Sequence, residues 1–267
     1  MLTLPIYIPS KGRWTNIKEG TLKWVPFDVR DRVIFVVPEE ECVKYMVALE
    51  YQPVNVISTN SKGIAQTRHF IGHHADVSKY DKFVMMDDDL KFFVRKEIQS
   101  TGLIPQTPED FKLMMWGLKY NLRYYSAVGI SARQGNNNSG IGDAGLLEEN
   151  TRLLRVLAYR TADFISCEHG RVEIAEDHDV NLQLLEKGLP NANLMYWSQD
   201  QAQTQAAGGC STYRTKELHE KSQRKLAELH PGLVKIVQKT NKTGGDFGTR
   251  IESVISWKKA FKQGEIK

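Results

Sequence analysis

The 267-residue sequence has few cysteines and no long apolar runs. Its three cysteines, Cys42, Cys167 and Cys210, lie far apart and form no CxxC pair, so a reduced, cytoplasmic protein is the simplest interpretation. No apolar stretch approaches the roughly 20 residues that cross a bilayer, and we expect no membrane partner. The first residues, "MLTLPIYIPSKGR", lack the basic leading region of a signal peptide.

Charge is distributed unevenly along the chain, whose formal net charge is +4. From Ser211 to Lys267 there are 13 Lys and Arg against 6 Asp and Glu, a net charge of +7, and the remainder carries −3. A basic tail favours a polyanionic partner such as nucleic acid, although a solvated surface helix explains the pattern equally well. The side chains expected to meet phosphates are Arg214, Lys216, Lys221, Arg224, Lys225, Lys235, Lys239, Lys242 and Arg250.

Hydrophobic strands alternate with helices in the first part of the chain. Continuous apolar runs predict strands at 4–8, 32–37, 54–58 and 82–86, with helices over 39–51 and after Gly63. Strands of this kind, separated by helices, are typical of a mainly parallel sheet that is covered on both faces.

Further elements follow after residue 100. Thr107 and Pro108 begin an amphipathic helix, and 127–132 reads as a strand. The segment 133–145 is polar and glycine-rich, so we expect a flexible loop whose asparagines can approach a base. One or two strands are predicted within 154–166. The last expected elements are a helix from Glu176 to Gly188, a strand at 193–198 and a charged helix at 215–232.

Three aspartates, 87–89, directly follow the fourth predicted strand. Because alternate side chains of an extended chain point the same way, we expect Asp87 and Asp89 to share one side and Asp88 to point away. Two carboxylates about 4 Å apart repel by roughly 4 kcal/mol at an effective dielectric constant of 20, and a divalent cation reverses that repulsion. Oxygen ligands at a strand end suit Mg²⁺ or Mn²⁺ bound with substrate phosphates. The alternative is that an aspartate caps a helix beginning at Leu90.

A second acidic group stands in "EIAEDHDV", where Glu176 and Asp177 begin a predicted helix. If the metal holds a nucleoside diphosphate leaving group, an acceptor hydroxyl needs a general base, and a carboxylate at this helix start would supply it. Asp177 is the first choice, Glu176 the second and Asp179 the third. Acidic residues here would also complement the helix dipole without any catalytic role.

Four segments, in this order, resemble the GT-A glycosyltransferases over about residues 4–200. They are "YIPSKGR" at the first strand, "GIAQTRHFIGHHA" before the fourth, "MMDDDL" as a DxD motif, and "EIAEDHDVNLQLLEKG" as the acidic helix start. The "IPSKGR" opening resembles the TET-associated glycosyltransferases, largely from bacteriophages. The resemblance implies glycosylation of hydroxymethylated pyrimidines in DNA.

The resemblance implies roles for individual residues. Arg68 would lie near the sugar or diphosphate, Asp87 would contact the ribose or the metal, and Asp89 would bind the metal. A C-terminal histidine would complete the metal site, with His219 and His230 as candidates. The segment 208–214 would close over the donor or act as a simple hinge. The residues expected to line the donor pocket are Pro9, Ser10, Lys11, Arg13, Arg68, Asp87 and Asp88.

The sequence therefore predicts an α/β protein of GT-A fold, with a mainly parallel central sheet and helices on both faces. A catalytic domain is expected over 1–210, with a basic helical extension over 211–267 packed on it. The predicted reaction is a metal-dependent, inverting transfer of a sugar from a UDP-linked donor to hydroxymethylcytosine or hydroxymethyluracil in phage DNA, in the cytoplasm of an infected cell. Three alternatives stay open: a glycan or lipid-linked acceptor, a nucleotidyltransferase, and a DNA-binding module without catalysis.

Overall fold

The computed structural model describes residues 4–98, 100–133, 146–201, 215–240 and 248–266. Its strands are β1 (Ile6–Pro9), β2 (Val33–Pro38), β3 (Asn55–Thr59), β4 (Lys82–Met86), β5 (Leu90–Arg95), β6 (Leu103–Pro105), β7 (Ala127–Ala132), β8 (Leu147–Glu149), β9 (Val156–Arg160), β10 (Asn191–Gln201), β11 (Val234–Thr240) and β12 (Thr249–Ile255). Its α-helices are α1 (Thr21–Trp24), α2 (Cys42–Ala48), α3 (Gly63–Val77), α4 (Pro108–Asn121), α5 (Thr161–Ile165), α6 (Glu176–Glu186), α7 (Lys216–Leu229) and α8 (Trp257–Glu265). Two 3₁₀ helices span Phe27–Arg32 and Glu39–Glu41. None of the helices in these ranges is long and apolar enough to cross a membrane.

The large sheet has the strand order β3-β2-β1-β4-β9-β7-β10-β5-β6, and β8 pairs with β10. The first four strands in this order pair in parallel, as do β7 and β10. Strand β9 runs antiparallel between β4 and β7, and β5 and β6 extend the sheet in antiparallel fashion beyond β10. The predicted α/β architecture is therefore confirmed.

Alternate residues of the central strands supply two apolar cores, one on each face of the sheet. Ile6 and Ile8 of β1 pack into the first core with buried residues of α4, whereas Tyr7 packs into the second. The second core includes Ile71 of α3 and Leu184 of α6. Because β1 is apolar at consecutive positions, it presents apolar side chains on both faces of the sheet, and helices cover both faces.

Two parts of the chain differ from the sequence prediction. Within 154–166 there is one strand, β9, as one of the two predicted alternatives had it, but it is followed by the short helix α5 and not by a second strand. Residues 90–95 form β5, which excludes a helix beginning at Leu90 and with it the capping explanation of the aspartates.

The C-terminal segment contains a hairpin as well as helices. Strands β11 and β12 pair antiparallel, and a third apolar core joins α7, β11 and α8 to Leu182 and Leu185 of α6. Helix α8 contacts α6 closely at Gly264, where a Cβ atom would lie 2.3 Å from the carbonyl oxygen of Leu185. The expected helical extension is therefore mixed, and it packs on the helix whose first turn carries Glu176 and Asp177.

Candidate active site

The turn after β1 is fixed from its side chains and its backbone. The Ser10 hydroxyl lies 2.7 Å from the Tyr45 hydroxyl, which also accepts a hydrogen bond from the backbone N–H of Arg13 at 3.1 Å. Gly12 has a φ of +69° and donates its N–H to Glu41 at 2.7 Å. Glycine suits this left-handed position, and the turn is consequently held against the start of α2.

The three aspartates occupy the tight connection between β4 and β5. The N–H of Thr21 donates to the carbonyl oxygen of Asp88 at 2.9 Å, and the Thr21 hydroxyl accepts from the N–H of Leu90 at 3.0 Å. A Cβ atom at Gly20 would lie 2.0 Å from that same Asp88 oxygen, so only glycine permits this approach. The start of α1 is therefore held tightly against the aspartate turn.

Arg13 joins two of the three carboxylates. Its Nη1 donates to Asp88 Oδ1 and lies 2.9 Å from Asp89 Oδ2, while the Ser10 hydroxyl donates to Asp88 Oδ2. The expectation that Asp88 points away from Asp89 is thus wrong, because β4 ends at Met86 and strand alternation does not continue into the turn. Asp88 connects the aspartate turn to the β1 turn.

Asp87 faces a different arginine, Arg68 of α3. Arg68 Nη2 donates to Asp87 Oδ1 at 3.1 Å, and its Nη1 lies 2.7 Å from Glu176 Oε1 and 3.8 Å from Asp177 Oδ2. Arg68 is buried, with 7% of its surface exposed. One guanidinium group thereby links the aspartate turn to the acidic start of α6, and these sequence-predicted residues do come together.

The carboxylates in this cluster have shifted pKa values. Burial raises the pKa of Asp88 to about 6, against the opposing charge of Arg13. Burial also raises the pKa of Glu176 to about 7, although the charge of Arg68 lowers it. For Asp177 burial acts in the same direction, but His178 and the two arginines Arg68 and Arg152 outweigh it and lower the pKa. The two neighbouring carboxylates thus have pKa values shifted in opposite directions, lowered for Asp177 and raised for Glu176.

Two backbone positions beside the cluster are strained. Ala175, which precedes α6, has a φ of +69°, and Arg155, which precedes β9, has a φ of +62°. A non-glycine residue in this left-handed region costs about 1–2 kcal/mol. Both residues hold functional candidates in place: Ala175 directs Glu176, and the Arg155 carbonyl accepts from the N–H of Asp87 at 3.1 Å.

Sequence reasoning missed the side chains that β9, β10 and the residues before β9 place beside the aspartate turn. Because β9 is antiparallel to β4, its first residue, Val156, pairs with Met86, and the preceding residues lie beside the aspartates. Arg152 donates to His178 Nε2 at 3.1 Å, and Arg155 donates to Gln199 Oε1 at 3.1 Å. Gln201 donates to Asp89 Oδ2 at 3.1 Å. Identifying these residues requires the pairing of β9 with β4 and of β10 with β5, which local sequence patterns do not reveal.

The aspartate turn fits a divalent cation that takes most of its ligands from a substrate. Asp89 Oδ1 is buried and has no hydrogen-bond partner, as an oxygen reserved for a cation would be. Over the described ranges, no group of three or more His, Cys, Asp and Glu side chains is arranged to hold a metal ion. Mg²⁺ is commonly bound by one or two carboxylates together with phosphates, which matches this donor set.

The histidine and aspartate candidates of the C-terminal half lie in other surroundings. His219 is buried on α7, with Nε2 3.1 Å from the carbonyl oxygen of Ile251 and 3.5 Å from Glu252. His230 Nε2 lies 2.8 Å from Asp179 Oδ1, and its Nδ1 lies 2.6 Å from Glu186. Asp179, the third choice as base, is therefore part of a buried ion pair. The pairing of His219 with the aspartates stays a prediction.

Some predicted residues are peripheral or lie outside the described ranges. Pro9 ends β1 in the interior of the sheet, and Lys11 is exposed beside the turn. The loop 134–145, the segment 208–214 and the basic residues Arg214 and Lys242 lie outside the described residues.

Comparison with known proteins identifies a family for most of the chain. A sequence model of the family described as TET-Associated Glycosyltransferase matches residues 4–209. No curated protein matches the chain. The crystal structure of Staphylococcus aureus TarS 1-349 in complex with UDP is similar with a TM-score of 0.51 and 14% identity, covering 85% of this chain and 64% of that chain.

A crystal structure of a putative nucleotide-diphospho-sugar transferase from Desulfovibrio desulfuricans G20 gives a TM-score of 0.40 and 13% identity, over 84% of this chain and 96% of that chain. The present chain spans less than two thirds of the TarS chain. At this identity the likeness to TarS shows the fold alone, and it confirms the predicted GT-A type.

Proposed function

The chain belongs to the TET-associated glycosyltransferase family, and we propose that it transfers a sugar from a UDP-linked donor to the hydroxymethyl group of a modified pyrimidine in DNA. The observation that carries this proposal is the position of Arg68, which contacts Asp87 of the aspartate turn and Glu176 of the acidic helix start. A donor diphosphate bound at the aspartate turn and an acceptor hydroxyl bound at the acidic helix start would therefore lie close together.

The donor would lie over the β1 turn and the aspartate turn. Ser10, Arg13 and Asp88 form one hydrogen-bonded unit there, so a ligand meets a preorganised surface instead of ordering loose side chains. Exposed Lys11 would reach the phosphates from the solvent side. A uridine nucleotide is proposed because the TarS structure of similar fold contains UDP.

Asp87 and Asp89 would hold Mg²⁺ or Mn²⁺ with the donor diphosphate. The bound ion would neutralise the charge that develops on the departing nucleoside diphosphate. Arg13 and Arg68, which now pair with the aspartates, would orient these carboxylates and add positive charge at the same place. His219 remains the candidate for a third protein ligand.

The pair Glu176 and Asp177 would accept the proton of the acceptor hydroxyl, giving inversion at the sugar carbon. A base is most effective when its pKa lies near the working pH. Glu176, with a pKa of about 7, meets that condition better than Asp177, which sequence reasoning preferred. Asp177 would then stay ionised beside Arg152 and keep the local field negative.

DNA as the acceptor is supported by the family description and by the basic C-terminal segment. Several of its cations have acidic neighbours: Lys221 lies 3.7 Å from Glu173, and Arg250 Nε pairs with Glu252. Arg224, Lys235 and Lys239 are exposed on α7 and β11, and these three are the better candidates for phosphate contacts.

The test is direct. The full chain is incubated with Mn²⁺, a panel of UDP-sugars and DNA containing hydroxymethylcytosine or hydroxymethyluracil, and the digested nucleosides are analysed by mass spectrometry. We expect glycosylated hydroxymethyl nucleosides, none from unmodified DNA, and loss of product in excess chelator. Transfer to oligosaccharides but not to DNA would contradict the acceptor, and full activity in chelator would contradict the metal.

A further inference from the structure

Three aromatic side chains form an exposed row along the outer side of α4 and the turn after it. They are Trp116, Tyr120 and Tyr124, spaced four residues apart, and we call them the aromatic row. Their exposed fractions are 56%, 38% and 56%. The Trp116 and Tyr120 rings stack at 5.0 Å between centroids with 21° between planes, and the Tyr120 and Tyr124 centroids lie 5.9 Å apart.

The aromatic row does not belong to the buried side of α4. The inward side of α4 is filled by Phe111, Met114, Met115 and Leu118, which are all buried. Large aromatic side chains are seldom left in a contiguous exposed set unless something binds them. The row therefore needs an explanation other than packing.

Positive charge lies beside the Tyr120 and Tyr124 end of the aromatic row. The Arg123 guanidinium lies 5.3 Å from the Tyr120 centroid and 5.8 Å from the Tyr124 centroid. Arg160 donates to the carbonyl oxygen of Arg123 at 3.0 Å, and Arg160 pairs with Lys82 across β9 and β4. The acid nearest to Arg160 is Asp163, at 3.8 Å.

The neighbouring cations repel one another. Burial is the first reason that the pKa of Lys82 is lowered, and the charges of Arg160, Lys119 and Arg123 lower it further, against the weaker attraction of Asp81. The surface beside the aromatic row thus carries a positive potential that a polyanion would relieve.

We propose that the aromatic row binds a single strand of nucleic acid, with bases stacked on Trp116 and Tyr124 and phosphates held by Arg123 and Lys82. Exposed aromatic rings interleaved with cations suit this ligand because every base offers a stacking face and every linkage a negative charge. A purely apolar protein partner would leave the cations without counter-charges.

This surface is separate from the proposed transfer site. Lys82 begins β4 and Asp87 follows its other end, so the two lie about 16 Å apart along a strand that rises about 3.3 Å per residue. The contact goes beyond the proposed function, since sugar transfer itself does not require it. Binding can accordingly be measured without any donor or catalysis.

The test is fluorescence anisotropy of the full chain with a fluorescein-labelled oligothymidine of twelve nucleotides. Because stacking on one aromatic side chain contributes about 1–3 kcal/mol per base, Trp116→Ala and Tyr124→Ala should each raise Kd at least about fivefold. Trp116→Phe should retain binding within about twofold. Arg123→Ala should reduce the slope of log K against log salt by about 0.7.

Two variants test whether losing any exposed side chain outside the aromatic row affects binding. Leu113→Ala changes another exposed side chain of α4, 57% exposed, and Tyr51→Ala removes an exposed tyrosine elsewhere, 86% exposed. Both should bind like the unsubstituted chain. All variants lie on the surface, so their thermal unfolding should be unchanged.

Oligothymidine binding that survives the combined change Trp116→Ala and Tyr124→Ala would overturn the proposal. Preference for duplex DNA of the same length, or no binding at 50 mM salt, would also overturn it. Failure of the proposed function is distinguishable, since it would abolish glycosylated nucleosides while leaving this binding and its sensitivity to Trp116→Ala intact.

Discussion

Arg68 Nη1 lies 2.7 Å from Glu176 Oε1, and this contact joins α3 to the first turn of α6. The same side chain also holds Asp87, so a single buried cation balances carboxylates from two separate parts of the chain. The aspartate turn and the acidic helix start are consequently one electrostatic unit. A change at Arg68 should disturb both.

We expect Arg68→Met to lower the free energy of unfolding by about 3–5 kcal/mol, because removing one partner of a buried ion pair leaves uncompensated charge. Arg68→Lys should cost less, yet it should still reduce kcat/KM, since a single ammonium cannot span both carboxylates. Urea denaturation and donor turnover measure the two effects. Lys23→Ala is the control: its contact with Glu19 is 3.4 Å and both side chains are exposed, so a change under about 0.5 kcal/mol is expected.

Asp89 and Asp88 should have different roles: Asp89 should act through the metal, whereas Asp88 should act on the structure of the site. With Mn²⁺ present, Asp89→Asn should weaken UDP binding at least about tenfold, because an amide oxygen is a poorer ligand for a hard cation. Without metal, Asp89→Asn should bind UDP like the unsubstituted chain. Isothermal titration calorimetry in both conditions checks this.

Asp88→Asn is the matched comparison for Asp89→Asn. Asp88 contacts Ser10 and Arg13, so its substitution should weaken UDP binding with and without metal and also lower the unfolding temperature. Equal behaviour of the two variants under all conditions would contradict the separation of roles.

Local sequence patterns predicted the central strands and pointed to two acidic segments as candidates for the site. Apolar runs identified β1, β2 and β4, and the acidic positions 87–89 and 176–177 were identified because carboxylates interrupt or follow apolar segments. These features depend on neighbouring residues alone. They were therefore available before any tertiary contact was known.

Contacts between distant segments could not be predicted in the same way. Arg13 turns Asp88 toward Asp89, and this depends on the β1 turn lying beside the end of β4. The antiparallel direction of β9 brings Arg152 and Arg155 to the site, although the surrounding sequence only indicates a strand. The hairpin of β11 and β12 was missed because its strands mix basic and apolar residues within a segment that is basic overall.

The buried contact between His230 and Asp179 predicts a pH-dependent stability. Burial alone would lower the pKa of His230, but hydrogen bonds to Asp179 and Glu186 outweigh it and raise the pKa above its ordinary value of 6.5. The charged imidazole therefore stabilises the fold fully below pH 6.5, and that contribution is lost as the pH rises through the folded-state pKa. The thermal unfolding temperature should fall over this interval.

His230→Gln should remove this dependence and lower the free energy of unfolding by about 1–3 kcal/mol at pH 6, because buried Asp179 loses a charged donor. His73→Gln, an exposed histidine of α3, should leave both the dependence and the stability unchanged. Calorimetry from pH 5 to 9 would contradict the assignment if the His230→Gln profile paralleled that of the unsubstituted chain.

Close packing at Gly264 predicts how firmly the C-terminal segment is docked. A Cβ atom there would lie 2.3 Å from Leu185 O and 2.4 Å from Gly188 N, both backbone atoms that cannot rotate away. Gly264→Ala should therefore destabilise the fold by about 1–3 kcal/mol even though alanine favours helices. Gln263→Ala, exposed on the same helix, should change stability by less than about 0.5 kcal/mol. Hydrogen exchange should show faster opening of α8 in Gly264→Ala alone.

The pKa of Glu176 separates the two candidate bases. If Glu176 accepts the acceptor proton, kcat/KM should rise about tenfold per pH unit up to pH 7 and level off above it, because burial raises the pKa of Glu176 to about 7. If Asp177 is the base, its lowered pKa predicts a rate that stays constant from pH 5 to 8. The profile of the unsubstituted chain with saturating metal therefore distinguishes them before any mutation is made.

Substitution gives the second measurement. Glu176→Gln should reduce kcat about 10²–10⁴-fold and remove the rise toward pH 7, with UDP affinity retained, because the amide preserves shape but cannot accept the proton. Glu173→Gln, a mostly exposed carboxylate nearby, should leave both rate and profile unchanged. If Glu176→Gln kept its rate while Asp177→Asn lost it, Asp177 would be the base. Glu176, held by Arg68, would then be a positioning residue.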